Sequence, residues 1–212
     1  MSMENKDLKK RILDISYKLK LSHLGSCLTA VDIIDEIFAI KQPNERFVLS
    51  SGHGALALYV VLEKYLKLDA EKIFAHHGVH PDRCEECHID CSTGSLGNGL
   101  PIAVGMALAD RTKRVYCLIS DGECAEGSIW ESLALKDKYQ IKNLHIFVNY
   151  NGWGAYDYID LYWLSNRLIN FGVPRTHIRR TDCDYIPFLA EQAGHYYTMN
   201  EEDYKAAMEV LK

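Results

Sequence analysis

The sequence predicts an α/β fold, a three-layer α/β/α sandwich on a mostly parallel sheet. First, helix-length and strand-length segments alternate along the whole chain, the pattern of parallel sheets covered on both faces. Second, the apolar runs Val115–Ile119 and Leu144–Val148 are too short for helices and are separated by Ser128–Tyr139, which reads as one. A strand–helix–strand crossover makes its strands parallel, with a right-handed connection. Third, each run ends in a polar, glycine-containing step: Ser120-Asp121-Gly122-Glu123 after one, and Asn151-Gly152-Trp153 after the other. Those ends lie on one sheet edge, where open α/β sheets bind ligands.

The remaining elements follow in order. Leu8, Ile12, Ile15 and Leu19 recur at helical spacing, so residues 4–20 form an amphipathic helix, broken at Ser22-His23-Leu24-Gly25-Ser26. Thr29, with Asp32 three positions on, is an imperfect capping box for a helix carrying Val31, Ile34, Ile37 and Phe38. Pro43-Asn44 turns the chain into a buried strand, Phe47–Ser50, which ends at Ser51-Gly52-His53-Gly54. Ala55–Leu66 is apolar on nearly every side and is expected to be a deeply buried helix. Asp69 caps a short helix; His76–Gly99 is a loop; Ile102–Ala109 is a small-residue helix. Asp160–Phe171 is a helix ending at Gly172, and Thr176–Arg179 a last strand. Asn200 caps an acidic first turn, Glu201-Glu202-Asp203, of a helix running to Lys212. No repeat, low-complexity stretch or linker divides residues 1–212, which read as a single domain.

Composition excludes several classes. A hydrophobic content of 48% supports a core, and a net charge of −5 argues against a nucleic-acid-coating surface. Residues 1–20 are Lys-rich without an apolar signal-peptide region, and no run reaches the length of a membrane span. Seven cysteines with no export signal read as reduced cytoplasmic thiols.

Chemistry concentrates on the sheet edge. The Asp121 carboxylate, the Asn151 amide oxygen and the Trp153 carbonyl are oxygen donors suited to a hard divalent cation, Mg²⁺ or Ca²⁺, that itself carries phosphate. Gly122 allows close approach of an anion, and a helix starting just beyond it would offer free N–H groups. Ser92 to Gly99 is glycine-rich but matches neither a P-loop nor a dinucleotide fingerprint. His23, His53, His80 and His195 sit at breaks between elements, where an imidazole can donate to phosphate or relay a proton. Cys84-x-x-Cys87-His88-x-x-Cys91 has a spacing that can hold zinc or iron–sulfur, but no second ligand pair accompanies it, so a reactive exposed loop is the favoured reading.

Taken together and in order, Ser22–Ser26, Ser51-Gly52-His53, His80-Pro81-Asp82, Ser92–Gly99, Ser120–Gly127 and Asn151-Gly152 resemble the N-terminal part of transketolases across about residues 8–155, with His195 and residues 200–212 resembling the end of that domain. The resemblance implies a thiamine diphosphate-binding fold of the diphosphate-binding type. It implies Mg²⁺ or Ca²⁺ on Asp121, Asn151 and the Trp153 carbonyl. Gly122, His53 and His195 would contact the diphosphate, and Gly94 and Leu96 the aminopyrimidine. His23 and His80, together with His195, would act on the sugar, and Glu126 would join an acidic network at a subunit contact.

This chain departs from that pattern in three places. Ser120 replaces the first glycine of the usual Gly-Asp-Gly, a small-for-small change. Asn151 to His195 spans only 44 positions, shorter than in most transketolases. No counterpart of the pyrimidine-binding domain, which in that family supplies the glutamate acting on the pyrimidine ring, follows in these residues. The resemblance therefore implies one subunit of a split transketolase-like enzyme, transferring a two-carbon ketol unit from a ketose phosphate to an aldose phosphate. Its partner would be a separate pyrimidine-binding subunit, in a homodimer or a dimer of heterodimers. Two alternatives stay open: a split thiamine enzyme acting on a 2-keto acid or making deoxyxylulose phosphate, and a non-catalytic regulatory or scaffold subunit.

Overall fold

Four strands, β1 (Arg46–Leu49), β2 (Val115–Ser120), β3 (Leu144–Tyr150) and β4 (Ile178–Arg180), form one sheet in the order β1-β2-β3-β4. Every neighbouring pair is parallel, with Leu49 opposite Leu118, Ser120 opposite Asn149 and Tyr150 opposite Arg180. The architecture comes from a computed structural model, which describes residues 5–154, 157–189 and 196–212.

Strand alternation divides the core into two layers. Phe47, Leu49, Tyr116, Leu118 and Phe147 face one side, packing against α1 (Lys6–Leu19), α2 (Leu24–Ile40), α3 (Ala55–Leu66), α4 (Ala70–His77) and α8 (Glu201–Val210). Val48, Cys117, Ile119, Ile146 and Val148 face the other, under α5 (Gly99–Ala109), α6 (Gly127–Lys138) and α7 (Leu161–Asn170). Period-two alternation with both faces apolar is what makes β2 and β3 read as continuous apolar runs. The expected α/β/α sandwich on a parallel sheet is thus the observed fold. No helix among the described residues is long and apolar enough to cross a membrane.

Most elements form where their patterns place them, and the exceptions have local causes. The break expected at Ser22–Ser26 falls slightly earlier: α1 ends at Leu19 and α2 already begins at Leu24, so residues 20–23 separate the two helices. Lys20 closes α1 in the left-handed conformation, and His23, also left-handed at φ 60°, restarts the chain as α2 without a side-chain cap. Thr29 therefore lies inside α2, where its hydroxyl donates to the Ser26 carbonyl (3.2 Å) instead of capping. α5 starts at Gly99, ahead of Pro101, since the first helical turn does not use the proline's missing N–H. Burial of α3 is complete over Ala55–Leu62, but its last turn is open to solvent. α4 extends through His77, and within the following loop Cys84 and Ile89 exchange two backbone hydrogen bonds (2.8 and 2.9 Å). The Asp69 cap and the Asn200–Asp203 capping box form as expected.

Candidate functional site

A cleft of about 510 Å³ lies at the carboxyl edge of the sheet. Its walls come from the strand ends and the segments that leave them: Ser51 and His53 after β1, Ser120–Gly122 at the end of β2, Asn151, Trp153 and Gly154 after β3 and Asp182–Asp184 after β4. His23 at the start of α2, and the loop carrying His80 and Gly94–Leu96, close it from the sides. Of the residues expected to act, His23, His53, His80, Gly94, Leu96, Asp121, Gly122, Glu126, Asn151 and Trp153 all line this one cleft. His195 lies outside the described residues.

Asp121 is the centre of the floor. Its side chain is 2% exposed, and its carboxylate accepts N–H groups from Gly122 (2.9 Å), Asn151 (3.0 Å) and Gly152 (2.7 Å). Burial pushes the Asp121 carboxyl up to about 6, and the three backbone donors act against that rise. A carboxylate offers about four lone-pair positions, so these three donors leave room for a cation. Asn151 is oriented by its own turn: its amide oxygen accepts the Trp153 N–H (2.9 Å) and keeps a second lone pair. Gly152, at φ 86°, supplies the left-handed step that this turn needs.

The N–H groups after Gly122 differ from expectation. Gly122–Ala125 forms a 3-10 turn, and α6 begins only at Gly127. The Gly122 N–H is held by Asp121, the Glu123 N–H by the Ser120 hydroxyl (3.3 Å) and the Cys124 N–H by the Asp121 carbonyl (3.0 Å). This turn shapes the cleft floor instead of presenting free donors to it. The short Ser-for-Gly change at Ser120 is built into the same arrangement.

Glu123 and Asn149 carry supporting roles that their sequence neighbourhood does not single out. The fully buried Glu123 carboxylate accepts from the Ser50 hydroxyl (2.6 Å), the Gly97 N–H (2.9 Å) and the Ser120 N–H (3.0 Å). It thereby ties the ends of β1 and β2 to the glycine-rich loop, and burial raises its own carboxyl. Asn149 donates to Thr29 (3.0 Å) and accepts from Thr181 (2.6 Å), joining α2, β3 and the segment after β4. A polar residue within an apolar strand, two positions before Asn151, is the available signal for Asn149. Asp182, Cys183, Asp184 and Tyr196 also reach the cleft, and nothing in their local pattern announces it.

The loop wall is set by close backbone packing. A Cβ on Gly52 would stand 2.6 Å from the Thr93 carbonyl carbon and 2.7 Å from the Gly94 nitrogen. Thr93 is pinned there by its hydroxyl on the Leu49 carbonyl (2.7 Å) and its N–H on the Pro81 carbonyl (3.1 Å). Gly94, at φ 153°, packs on the His80 ring, where a Cβ would come within 3.0 Å. The His23 and His53 rings lie 5.2 Å apart, and Tyr196 meets His23 edge-on at 5.5 Å.

The donor chemistry fits a cation that carries an anionic ligand. Among the described lining residues there is no Lys or Arg, while Asp121, Glu126, Asp182 and Asp184 are acidic. A diphosphate entering this cleft meets like charge unless a divalent cation accompanies it, and the lining residues that could hold one are Asp121, Asn151 and, through its carbonyl, Trp153.

Residues 11–155 match the family model "Transketolase, thiamine diphosphate binding domain". The chain is 36% identical to human (Homo sapiens) transketolase over 156 residues, 64% of this chain and 25% of that protein. It is 30% identical over 171 residues to one of the subunits of the apulose-4-phosphate transketolase of Phocaeicola vulgatus, 71% of this chain and 60% of that one. The fold aligns with the transketolase of Leishmania mexicana at a TM-score of 0.61 and 21% identity, covering 81% of this chain and 31% of that one. The chain thus spans about a quarter of the length of the animal transketolases it matches and less than two thirds of the bacterial protein. With the family model covering most of the chain, and its motifs meeting in one cleft, the chain belongs to the transketolase thiamine diphosphate-binding domain family.

Proposed function

We propose that residues 1–212 form one diphosphate-binding unit of a thiamine diphosphate-dependent, transketolase-like transferase, which moves a two-carbon ketol unit from a ketose phosphate to an aldose phosphate. The observation that carries this reading is the convergence of Asp121, Asn151, Trp153, His23, His53 and His80 on one cleft without a cationic side chain among its described lining residues. Bound thiamine diphosphate supplies the nucleophilic carbon and the electron sink that C–C cleavage requires. Asp121, Asn151 and the Trp153 carbonyl hold Mg²⁺ (or Ca²⁺), which neutralises the diphosphate. Gly122 and His53 line the diphosphate path, and the family resemblance alone assigns His195 a diphosphate contact. Gly94 and Leu96 face the aminopyrimidine. His23 and His80 donate hydrogen bonds to the hydroxyls and carbonyl of the sugar and move protons as those oxygens change charge.

The active site is completed by a second chain bearing the pyrimidine-binding domain. The similarity to a subunit of the apulose-4-phosphate transketolase of Phocaeicola vulgatus supports a partner subunit. Our reading is a dimer or a dimer of heterodimers in the cytoplasm. The test is ketol transfer from a ketose phosphate with thiamine diphosphate and Mg²⁺. The expected result is no turnover by this chain alone and turnover when a pyrimidine-binding chain is added. Turnover by the chain alone rules out the two-chain arrangement, and absence of Mg²⁺-dependent cofactor binding by calorimetry rules out the cofactor reading.

A further inference from the structure

Outside the cleft, one group of soft ligands stands together among the described residues. His77 at the end of α4 and Cys84 and Cys87 in the following loop bring their ligating atoms within 4.8 Å of one another. The sequence pattern points instead to Cys84, Cys87 and Cys91. The Cys91 thiol donates to the Ser92 carbonyl (3.3 Å) and its side chain is buried in the core layer under α5, away from this group. His88, inside the motif, is exposed. Folding thus replaces the fourth member of the motif with a histidine seven residues upstream of Cys84.

Three further features of this corner suit metal ligation. The Cys84–Ile89 segment is a closed turn, with His88 left-handed at φ 55° and its N–H on the Glu85 carbonyl (3.2 Å). Within that turn the Cys87 N–H donates to the Cys84 sulfur (3.2 Å), a bond that strengthens when the sulfur is a thiolate. The His77 Nε2 is buried and has no hydrogen-bond partner among the described residues, a state that buried nitrogens rarely hold without a ligand or ion. Zinc–sulfur and zinc–nitrogen bonds of about 2.3 and 2.0 Å set donor atoms roughly 3.5–3.8 Å apart in a tetrahedron, so adjustments of about an ångström complete the site.

We propose that His77, Cys84 and Cys87 bind one zinc-class ion, with water in the fourth tetrahedral position. A one-nitrogen, two-sulfur set selects a borderline-soft metal over Mg²⁺, so this site and the oxygen donors around Asp121 take different ions. Binding converts two thiols to metal thiolates and releases their two protons, with no change of oxidation state. The ion joins the end of α4 to the turn at Cys84–Ile89. His80 lies between those two anchors, so the metal fixes both ends of the segment that presents this imidazole to the cleft.

The test uses the untagged full chain, produced with zinc in the medium and purified under reducing conditions without chelator. Elemental analysis is expected to find one zinc per chain. Exchange with Co²⁺ is expected to give a thiolate-to-cobalt charge-transfer band and tetrahedral d–d bands, which an all-oxygen site cannot produce. Cys84→Ser, Cys87→Ser and His77→Gln are each expected to weaken Co²⁺ binding roughly 100-fold or more, and Cys91→Ser to leave it unchanged. A wild-type chain without zinc and without the charge-transfer band overturns the proposal, as does an intact mass showing a Cys84–Cys87 disulfide in place of the metal. Loss on Cys91→Ser equal to that on Cys84→Ser overturns the ligand assignment.

Discussion

Replacing Gly52 by alanine places a methyl group against backbone that has nowhere to go. The new Cβ would lie 2.6 Å from the Thr93 carbonyl carbon, and ordinary contact begins at 3.4 Å, so the loop must retreat by about 0.8 Å. Rotating a side chain cannot relieve this, because the opposing atoms are main chain. Thr93 is also held from behind by Leu49 and Pro81. Overpacking of this kind costs about 1–3 kcal/mol. Alanine restricts the unfolded chain and returns about 0.4–1 kcal/mol. The balance is a loss of about 1–2 kcal/mol, or roughly 3–6 °C in Tm for a chain of this size. The same retreat moves Gly94 off the His80 ring, so Mg²⁺-dependent thiamine diphosphate binding weakens as well. Gly105 on the exposed side of α5 is the control, since a Cβ there meets nothing within 4 Å. Gly105→Ala is expected to stabilise by about 0.8–1 kcal/mol through helix propensity alone. Urea unfolding and calorimetry on both variants read the two effects. Equal stability of Gly52→Ala and wild type, with unchanged cofactor binding, would refute the reasoning.

Three other outcomes are expected. Asp121→Asn turns an amide NH₂ towards backbone N–H groups and removes charge-assisted bonds worth about 1.5–3 kcal/mol each, so Mg²⁺-dependent cofactor affinity falls roughly 10–100-fold by calorimetry. The His145 and His177 rings, 6.3 Å apart, are both held below the ordinary value of 6.5, chiefly by burial. The unfolded chain therefore takes up protons first as pH falls; stability is full above 6.5 and is lost as pH drops through that value towards the folded ones. Urea midpoints measured from about pH 8 to about pH 5.5 should decline, and His145→Gln should flatten the decline. Lys9, only 3% exposed, donates to Asp32 at 2.6 Å. Lys9→Ala should cost about 2 kcal/mol in urea unfolding, below the ~3–5 kcal/mol of a fully buried pair because Asp32 keeps some solvent.

The elements with strong periodic or capping signals can be read directly. The apolar runs of β2 and β3, the Asp69 cap and the Asn200–Asp203 box are local patterns, and local geometry satisfies them. Expectation and structure part where one local signal has two structural solutions. Thr29 with Asp32 three positions on is a cap in some chains, and here it is a mid-helix hydroxyl that Asn149 draws into the core. Gly122 followed by a helical pattern suggests free N–H groups, but a 3-10 turn and the Asp121 carboxylate consume them.

The sequence by itself determined the layer architecture and the sheet edge on which Asp121 and Asn151 meet. Strand-length apolar runs joined by a helix must be parallel, and parallel strands bring the segments after them to one edge, so Asp121 and Asn151 could be paired across thirty positions. Only the tertiary structure decided what supports them and what stands apart from them. Glu123 gains its meaning from Ser50 and Gly97, and Asn149 from Thr29 and Thr181. The partner of Cys84 and Cys87 is His77 and not Cys91. Such contacts depend on where a folded loop returns to a helix end, and spacing along the chain carries no record of that distance.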